Sequence, residues 1–521
     1  MRRSSLLVVL LLSAACTSTR NAPADLVLRG GRIFTGVEAA PWAEAVAIRG
    51  ERIAAVGTAA EIARLVGTST RVVELEGRVA IPGINDAHVH APWFSEPTTA
   101  ARPAQERATK EELLDAIRTA VAGAAEGSVI AAELPLHLVD AGLTRDDLDG
   151  ISNTRPIRVA PLGGHSAILN TAALRAWGIA EEAKDPLGGW YGRGNDGRLN
   201  GWLYEHAYWM PQKQQAERAS DEALRAAIRE FEQEALRHGI TSVQTYPIVG
   251  AARTEALLAS IQPALRWRTI ELRVPPYTSR AGTRGPVKYI LDGTPIERSA
   301  AMQNAYADAP SMTGRLNYSA AEIEGMVRDA ASGGGQLHVH AVGDRAIAAV
   351  LDAMERTKAD WPSLRLRIEH GDTTTPELAA RMRKLGVILV QNPSHFTIAE
   401  TMHARYGERA RQAQPARSLV AAGNRFALGS DGPLNPFLNM FFAAIHPTNA
   451  AESLTVGQSL RAYTEGAAFA ELQEREKGRI APGMLADMAV LSQDIFAVAP
   501  PELPKTRSVM TIVGGKVAWE E

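Results

Sequence analysis

Apolar and polar positions alternate in short runs near the start of the chain. Leu26 to Ile33 and Arg71 to Leu75 carry this two-residue period, and Ala45 to Gly57 reads as a hairpin. The same texture returns at the other end, in Asp487 to Leu491 and in Ser508 to Val517, which is broken by Gly514-Gly515. Neither region is large enough to bury its own apolar face. Together they predict one small β-sandwich built from both chain ends, residues 25–80 and 478–521.

Between these regions short apolar runs alternate with stretches of helical period. The runs are Ile84–Val89, Ile240–Thr245, Arg268–Val274, Val287–Leu291, Gln336–Ala341, Arg365–Glu369, Val387–Val390 and Phe426–Gly429. Ser220–Arg237, Ala320–Ala331, Ala346–Thr357 and Pro376–Leu385 read as helices between several of them. Eight strands with intervening helices predict an α/β fold, a (β/α)8 TIM-type barrel over residues 81–477. An open doubly wound sheet shares this alternation. However, no Gly-x-Gly-x-x-Gly links a strand to a helix, which weighs against a dinucleotide site. Residues 91–219 are too long for one βα loop. They carry a helix at Glu111–Ala122, a strand at Ile157–Ala160 and many glycines and aromatics from Gly188 to Trp209. They are expected to form a large insertion after barrel strand 1, covering the mouth and shaping specificity.

The first residues have a different character. Arg2-Arg3, the apolar run Leu6–Leu12 and Ser13-Ala14-Ala15-Cys16 read as a signal peptide over 1–15. The segment resembles a lipobox, which implies lipidation of Cys16, a tether over 16–24 and a membrane partnership through an N-terminal lipid anchor. The expected location is the periplasmic side of the envelope, as an outer-membrane lipoprotein. No other segment reaches 18 apolar residues.

Charge narrows the partners. Lys plus Arg number 56 against 58 for Asp plus Glu, so no basic excess exists to meet a phosphate backbone and no nucleic-acid partner is expected. The single cysteine excludes an internal disulfide framework and any Cys-rich metal site. A metal must therefore be held by His, carboxylate or modified Lys.

Such residues recur at the predicted strand ends. His88 and His90 lie two apart on one strand, so both imidazoles point the same way. Zinc binds imidazole nitrogen at about 2.0–2.1 Å, and a rigid pair supplies two ligands on one face. His340, His370 and Asp431 each end a later strand, and Lys288 begins one. Independent causes for all six are improbable, whereas convergence on one centre explains them together.

This ordered set resembles the metal-dependent amidohydrolase superfamily. Gly164-His165-Ser166, Gly201-Trp202-Leu203-Tyr204-Glu205, His340 to Ala346 and Arg367-Ile368-Glu369-His370 look like its YtcJ-like branch, which includes N-substituted formamide deformylases. The resemblance implies that His88, His90 and Asp431 bind one metal and that His340 and His370 bind a second. Lys288, as a carbamate, would bridge them. It also implies Zn2+, one or two ions, and hydrolysis of an amide, N-acyl or N-formyl bond in a small molecule. A metal-activated hydroxide would attack the carbonyl while Asp431 shuttles the proton. His165 is expected to hydrogen-bond the carbonyl oxygen, with Trp202, Tyr204 and His395 lining the substrate pocket. Gly163 departs from the branch, which commonly has Asp before Gly-His-Ser. A deaminase or cyclic-amide hydrolase could use the same centre, and a periplasmic binding lipoprotein is the alternative of another class. The sequence does not decide between a monomer and a homo-oligomer.

Overall fold

Eight parallel strand positions run through the middle of the chain in the computed structural model, which describes residues 22–92, 98–103, 105, 107–280 and 284–521. Strand β1 (Ile84–Val89) pairs with β2 (Ile240–Thr245). The latter pairs with β3, which runs through Arg266–Thr269 and resumes after Ile270 as Glu271–Arg273. Next come β4 (Val287–Ile290), β5 (Leu337–Ala341), β6 (Arg367–His370), β7 (Ile388–Gln391) and β8 (Arg425–Leu428), paired in that order after β3. The amide of Asp431, just past β8, donates to the carbonyl of His88 in β1 at 2.8 Å and brings the ends of the ring together.

The alternation within each strand decides what faces the barrel interior. In β5, Leu337, Val339 and Ala341 join Ile347, Val350, Leu351 and Met354 of the helix Asp344–Arg356 in one outer core. His338 and His340 therefore point inward. In β6, Ile368 belongs to that outer core, which turns Arg367 and Glu369 inward. The surrounding helices have strong ends. Ala320–Ala331 starts in a Ser319/Glu322 capping box, and Pro376–Leu385 has a Thr375 cap, a first-turn proline and the left-handed Gly386 behind it.

Strands from the two chain ends share a six-stranded sheet: Lys516–Glu520, Ser508–Val513, Met488–Leu491, Val79–Pro82, Arg32–Phe34 and Trp42–Ala43. A four-stranded sheet of Arg52–Gly57, Ala45–Arg49, Leu26–Arg29 and Arg71–Glu74 lies beside it. Leu28 and Ile48 of the smaller sheet share one core with Ala80, Met488 and Ile512 of the larger. The chain passes from this core into β1 through Gly83. A Cβ there would meet the Thr241 side chain at 2.3–2.9 Å, so the junction admits only glycine.

Residues between β1 and β2 form a further six-stranded sheet, ordered Gly189–Arg193, Leu199–Glu205, Ser166–Leu169, Ile157–Pro161, Val129–Leu134 and Thr98–Ala101. It carries a core on each face. Trp202 and Ile168 face one, and Leu203 and Leu169 face the other.

The expected membrane partnership is corrected here. Among the described residues no helix is long and apolar enough to cross a membrane. The lipid anchor, the lipoprotein and signal assignments and the outer-membrane location are therefore not carried further. Residues 1–15 and Cys16, on which those expectations rested, lie outside the described residues.

Candidate metal centre

At one end of the barrel the inward imidazoles of β1, β5 and β6 meet the carboxylate that follows β8. The rings of His340 and His370 lie 4.4 Å apart, and His370 lies 4.8 Å from His88. Asp431 Oδ1 sits 3.3 Å from His90 Nε2 and 3.5 Å from His88 Nε2. Lys288 Nζ approaches His88 Nε2 at 2.9 Å and lies 4.0 Å over the Tyr246 ring. The six ligand candidates expected from the sequence are thus gathered in one place. Both His370 (φ 72°) and Asp431 (φ 56°) hold left-handed backbone, which L residues adopt only where the surroundings fix it.

The hydrogen bonds behind these rings fix which nitrogen faces inward. His88 Nδ1 donates to Glu369 Oε2 at 2.7 Å, His90 Nδ1 to the carbonyl of Tyr246 at 3.3 Å and His370 Nδ1 to Asn392 Oδ1 at 2.9 Å. Each ring is left with a lone pair on Nε2, the arrangement that orients histidine as a metal ligand. Glu369 is itself held by the Nε–Nη2 edge of the Arg367 guanidinium, at 2.8 and 3.0 Å.

Two of the buried nitrogens, His340 Nε2 and His370 Nε2, have no hydrogen-bond partner. A buried polar atom left unpaired is costly, and a ligand site is a physical reason to keep one. Two triads have ligand atoms within 4.8 Å of one another: His88, His90 and Asp431; and His370, His395 and Asp431. Imidazole with carboxylate and no thiolate is a donor set that suits a divalent ion such as zinc.

Protonation agrees with that use. Burial, and then the Lys288 charge, hold His88 well below the usual imidazole range. Burial likewise depresses His340 and His370. Asp431 is pulled well below the carboxylate range, because His88, His395 and His90 outweigh its burial. Burial pushes the Lys288 ammonium down to about 8, against the pull of Asp431 and Glu369.

His395 joins this centre directly. Its Nε2 lies 3.3 Å from Asp431 Oδ2 and its Nδ1 lies 3.0 Å from Asp372 Oδ2. Burial opposes its charge, but Asp372 and then Asp431 raise it to about 10. His165 reaches the centre from the insertion, with its ring 4.9 Å from His340. Burial works against its protonation, and Glu205 overcomes this and raises its pKa. Trp202 is packed in the insertion, where its Nε1 donates to the Leu143 carbonyl at 3.1 Å. Tyr204 stacks between Trp190 and Trp202 at 4.7 and 5.5 Å.

Sequence reasoning assigned no role to Arg367, Glu369, Asn392, Asp372 or Glu205. For the β6 pair a signal was present, since two charges at alternate positions of an otherwise apolar strand must pair inside the barrel. Asn392 and Asp372 lie in loops, where no period marks them.

The Amidohydrolase family model matches residues 71–518. The chain is 28% identical to the protein LONG AFTER FAR-RED 3 of Arabidopsis thaliana over 545 residues, covering 95% of this chain and 91% of that one. It is 27% identical to an N-substituted formamide deformylase of Arthrobacter pascens over 546 residues, covering 95% and 98%. Its fold is similar to that of an uncharacterized metal-dependent hydrolase from Pyrococcus horikoshii, with a TM-score of 0.72 at 21% identity, covering 91% and 99%. With its histidine and aspartate triads at one end of a parallel barrel, and the family model spanning most of its length, the chain belongs to the amidohydrolase family of metal-dependent hydrolases acting on carbon–nitrogen bonds.

Proposed function

We propose that the chain hydrolyses an amide, N-acyl or N-formyl bond of a small molecule, as a member of the YtcJ-like branch. In this reading His88, His90 and Asp431 hold one zinc ion, and His340 and His370 hold a second. Lys288 would supply the ligand shared between them, its neutral amine adding to CO2 and losing a proton to water to give a carbamate. The unpartnered Nε2 atoms of His340 and His370 carry the reading, because two such imidazoles lie 4.4 Å apart beside His88. Zinc supplies a Lewis acid that polarises a carbonyl and acidifies water.

The chain's own groups do the rest. Asp431 accepts a proton from the attacking water and returns it to the leaving nitrogen as the carbon–nitrogen bond breaks and a carbon–oxygen bond forms. His395 steadies the Asp431 carboxylate through Oδ2. His165 faces the carbonyl oxygen. The barrel over 81–477 carries this chemistry, the sheets of 25–80 and 478–521 form the sandwich that supports it, and residues 91–219 cover its mouth and select the substrate. Tyr204 is the aromatic residue of that region closest in role to a pocket wall, with Trp202 behind it.

The test is a product assay on zinc-loaded protein offered N-formyl amines, N-acyl amines, cyclic amides and amino-heterocycles. Release of an amine together with formate or another carboxylate is expected. Ammonia as the product identifies a deaminase and overturns the acyl-bond reading.

A further inference from the structure

We infer that Glu205, at a strand-to-helix elbow of the insertion, is a positioning residue that fixes which nitrogen of His165 faces the metal centre. This rests on the proposed reaction for the use of His165, though not for the arrangement itself.

Glu205 ends the strand Leu199–Glu205 and immediately precedes the helix His206–Arg218. Its backbone has φ 52° and ψ −126°, a conformation that side chains other than glycine avoid. The residue is only 1% exposed. A strained, buried carboxylate persists only where its surroundings over-determine it, and here four contacts do so. The Glu205 amide donates to the His165 carbonyl at 2.8 Å, continuing the antiparallel pairing of Ser166 with Tyr204. His165 Nδ1 donates to Glu205 Oε2 at 3.0 Å, Asn317 Nδ2 to the same oxygen at 3.3 Å and Ser299 Oγ to Oε1 at 3.2 Å.

The last two donors come from the barrel loop that follows β4. That loop approaches so closely that a Cβ on Gly293 would lie 2.1 Å from Glu205 Oε1. One turn into the helix, Trp209 donates from Nε1 to the Gly164 carbonyl at 2.6 Å and places its ring 4.8 Å from that of His165. Main chain, carboxylate and indole therefore hold the imidazole from three sides. With Nδ1 committed to Glu205, Nε2 is the nitrogen left for the centre, beside His340.

A joint between insertion and barrel would need only partners for Asn317 and Ser299, which a neutral glutamine supplies, its amide oxygen accepting from Asn317 and its NH2 donating to the Ser299 hydroxyl. Every donor gains from the carboxylate charge, but among these partners only the imidazole can itself be charged, so it gains the most. That distinguishes positioning from mere docking and gives the test its readout.

The experiment uses full-length zinc-loaded protein, its Glu205→Gln, Glu205→Ala and His165→Asn variants, and the Glu205→Gln/His165→Asn double variant. Proton NMR should show a downfield, exchange-protected ring N–H signal that disappears in His165→Asn and in Glu205→Ala and moves upfield in Glu205→Gln. Persistence of that signal unshifted in Glu205→Gln overturns the proposal, and Glu205→Gln keeps the test readable if Glu205→Ala fails to fold. With an N-acyl amine that the parent hydrolyses, Glu205→Gln should lower kcat about 10–100-fold with KM and zinc content unchanged, and the double variant should be no slower than His165→Asn. Independent losses that multiply in the double variant overturn it as well. Should the parent hydrolyse no member of the panel, the reaction reading fails, while the N–H signal still decides the role of Glu205.

Discussion

The same strands carry two buried polar clusters with opposite habits. Deeper in the barrel, Arg367 is paired with Glu369 and also donates to the Ala87 carbonyl at 2.7 Å and to Tyr246 Oη at 3.2 Å. His338 uses both nitrogens, one with Tyr246 Oη at 2.9 Å and the other with Gln336 Oε1 at 3.0 Å. Lys477 is tied to Glu471 and to Ser242, both at 2.6 Å. At the strand ends, by contrast, His340 and His370 keep a buried nitrogen without a partner, and His370 and Asp431 hold left-handed backbone. Inside one barrel, then, the deeper charges are paired with one another, whereas two neighbouring imidazoles at the strand ends keep a nitrogen free for a ligand.

The comparison breaks most visibly at Asp431. Asp431→Asn keeps the size of the side chain but removes its basicity, and turnover is expected to fall by about 10²–10⁴-fold. Steady-state kinetics with metal content measured in parallel checks this, and unchanged turnover at full zinc removes Asp431 from proton transfer. In the paired cluster the loss should fall on stability as well as on the orientation of His88. Glu369→Ala strands the buried Arg367 guanidinium and is expected to cost about 3–5 kcal/mol in denaturant unfolding. A cost near zero would mean that the pair is not holding charge inside the barrel.

A smaller effect of opposite sign is expected at the strand ends. His340→Leu removes a buried unpaired nitrogen and should stabilise the metal-free protein by on the order of 1 kcal/mol while weakening zinc retention. Destabilisation of the metal-free variant would contradict the contrast. The smallest effect belongs to a pairing whose carboxylate is exposed. Asp140 meets Arg298 at 2.9 Å and Arg405 at 2.9 Å, with its own side chain 53% exposed. Hydrogen bonding to Arg298 lowers its carboxyl below the ordinary value, partly offset by burial. A depressed folded value contributes stability above the unfolded carboxylate range, and that contribution is lost as pH falls through the folded value. Asp140→Asn should therefore cost at most about 1 kcal/mol at pH 7, and the difference in Tm from the parent should vanish in strong acid. A difference that survives acidification would assign the effect to packing.

Much of this was legible in the chain. All eight barrel runs match strands to within a few residues, because short apolar runs between helical stretches mark buried strands, and Ala320–Ala331 and Pro376–Leu385 have the expected bounds, because one-sided burial preserves the helical period. The insertion was less legible. Ser166–Leu169 has a core on each face of its sheet and only Ala167, Ile168 and Leu169 as an apolar run, too short to announce a strand. The ligand candidates were visible as residue types at strand ends, whereas their supports were not. Glu205 is the last residue of one strand, and its partners Ser299 and Asn317 lie about a hundred residues further along the chain, a proximity that only the folded chain creates.

The central claim is that the unpaired nitrogens are metal ligands, and anomalous diffraction at the zinc edge, on protein prepared with zinc and bicarbonate, tests it most directly. The account predicts one peak bound by His88, His90 and Asp431 and a second about 2.0–2.1 Å from the Nε2 atoms of His340 and His370, with density between them continuous with Lys288. Zinc bound elsewhere, with both of those nitrogens left unligated, would contradict it.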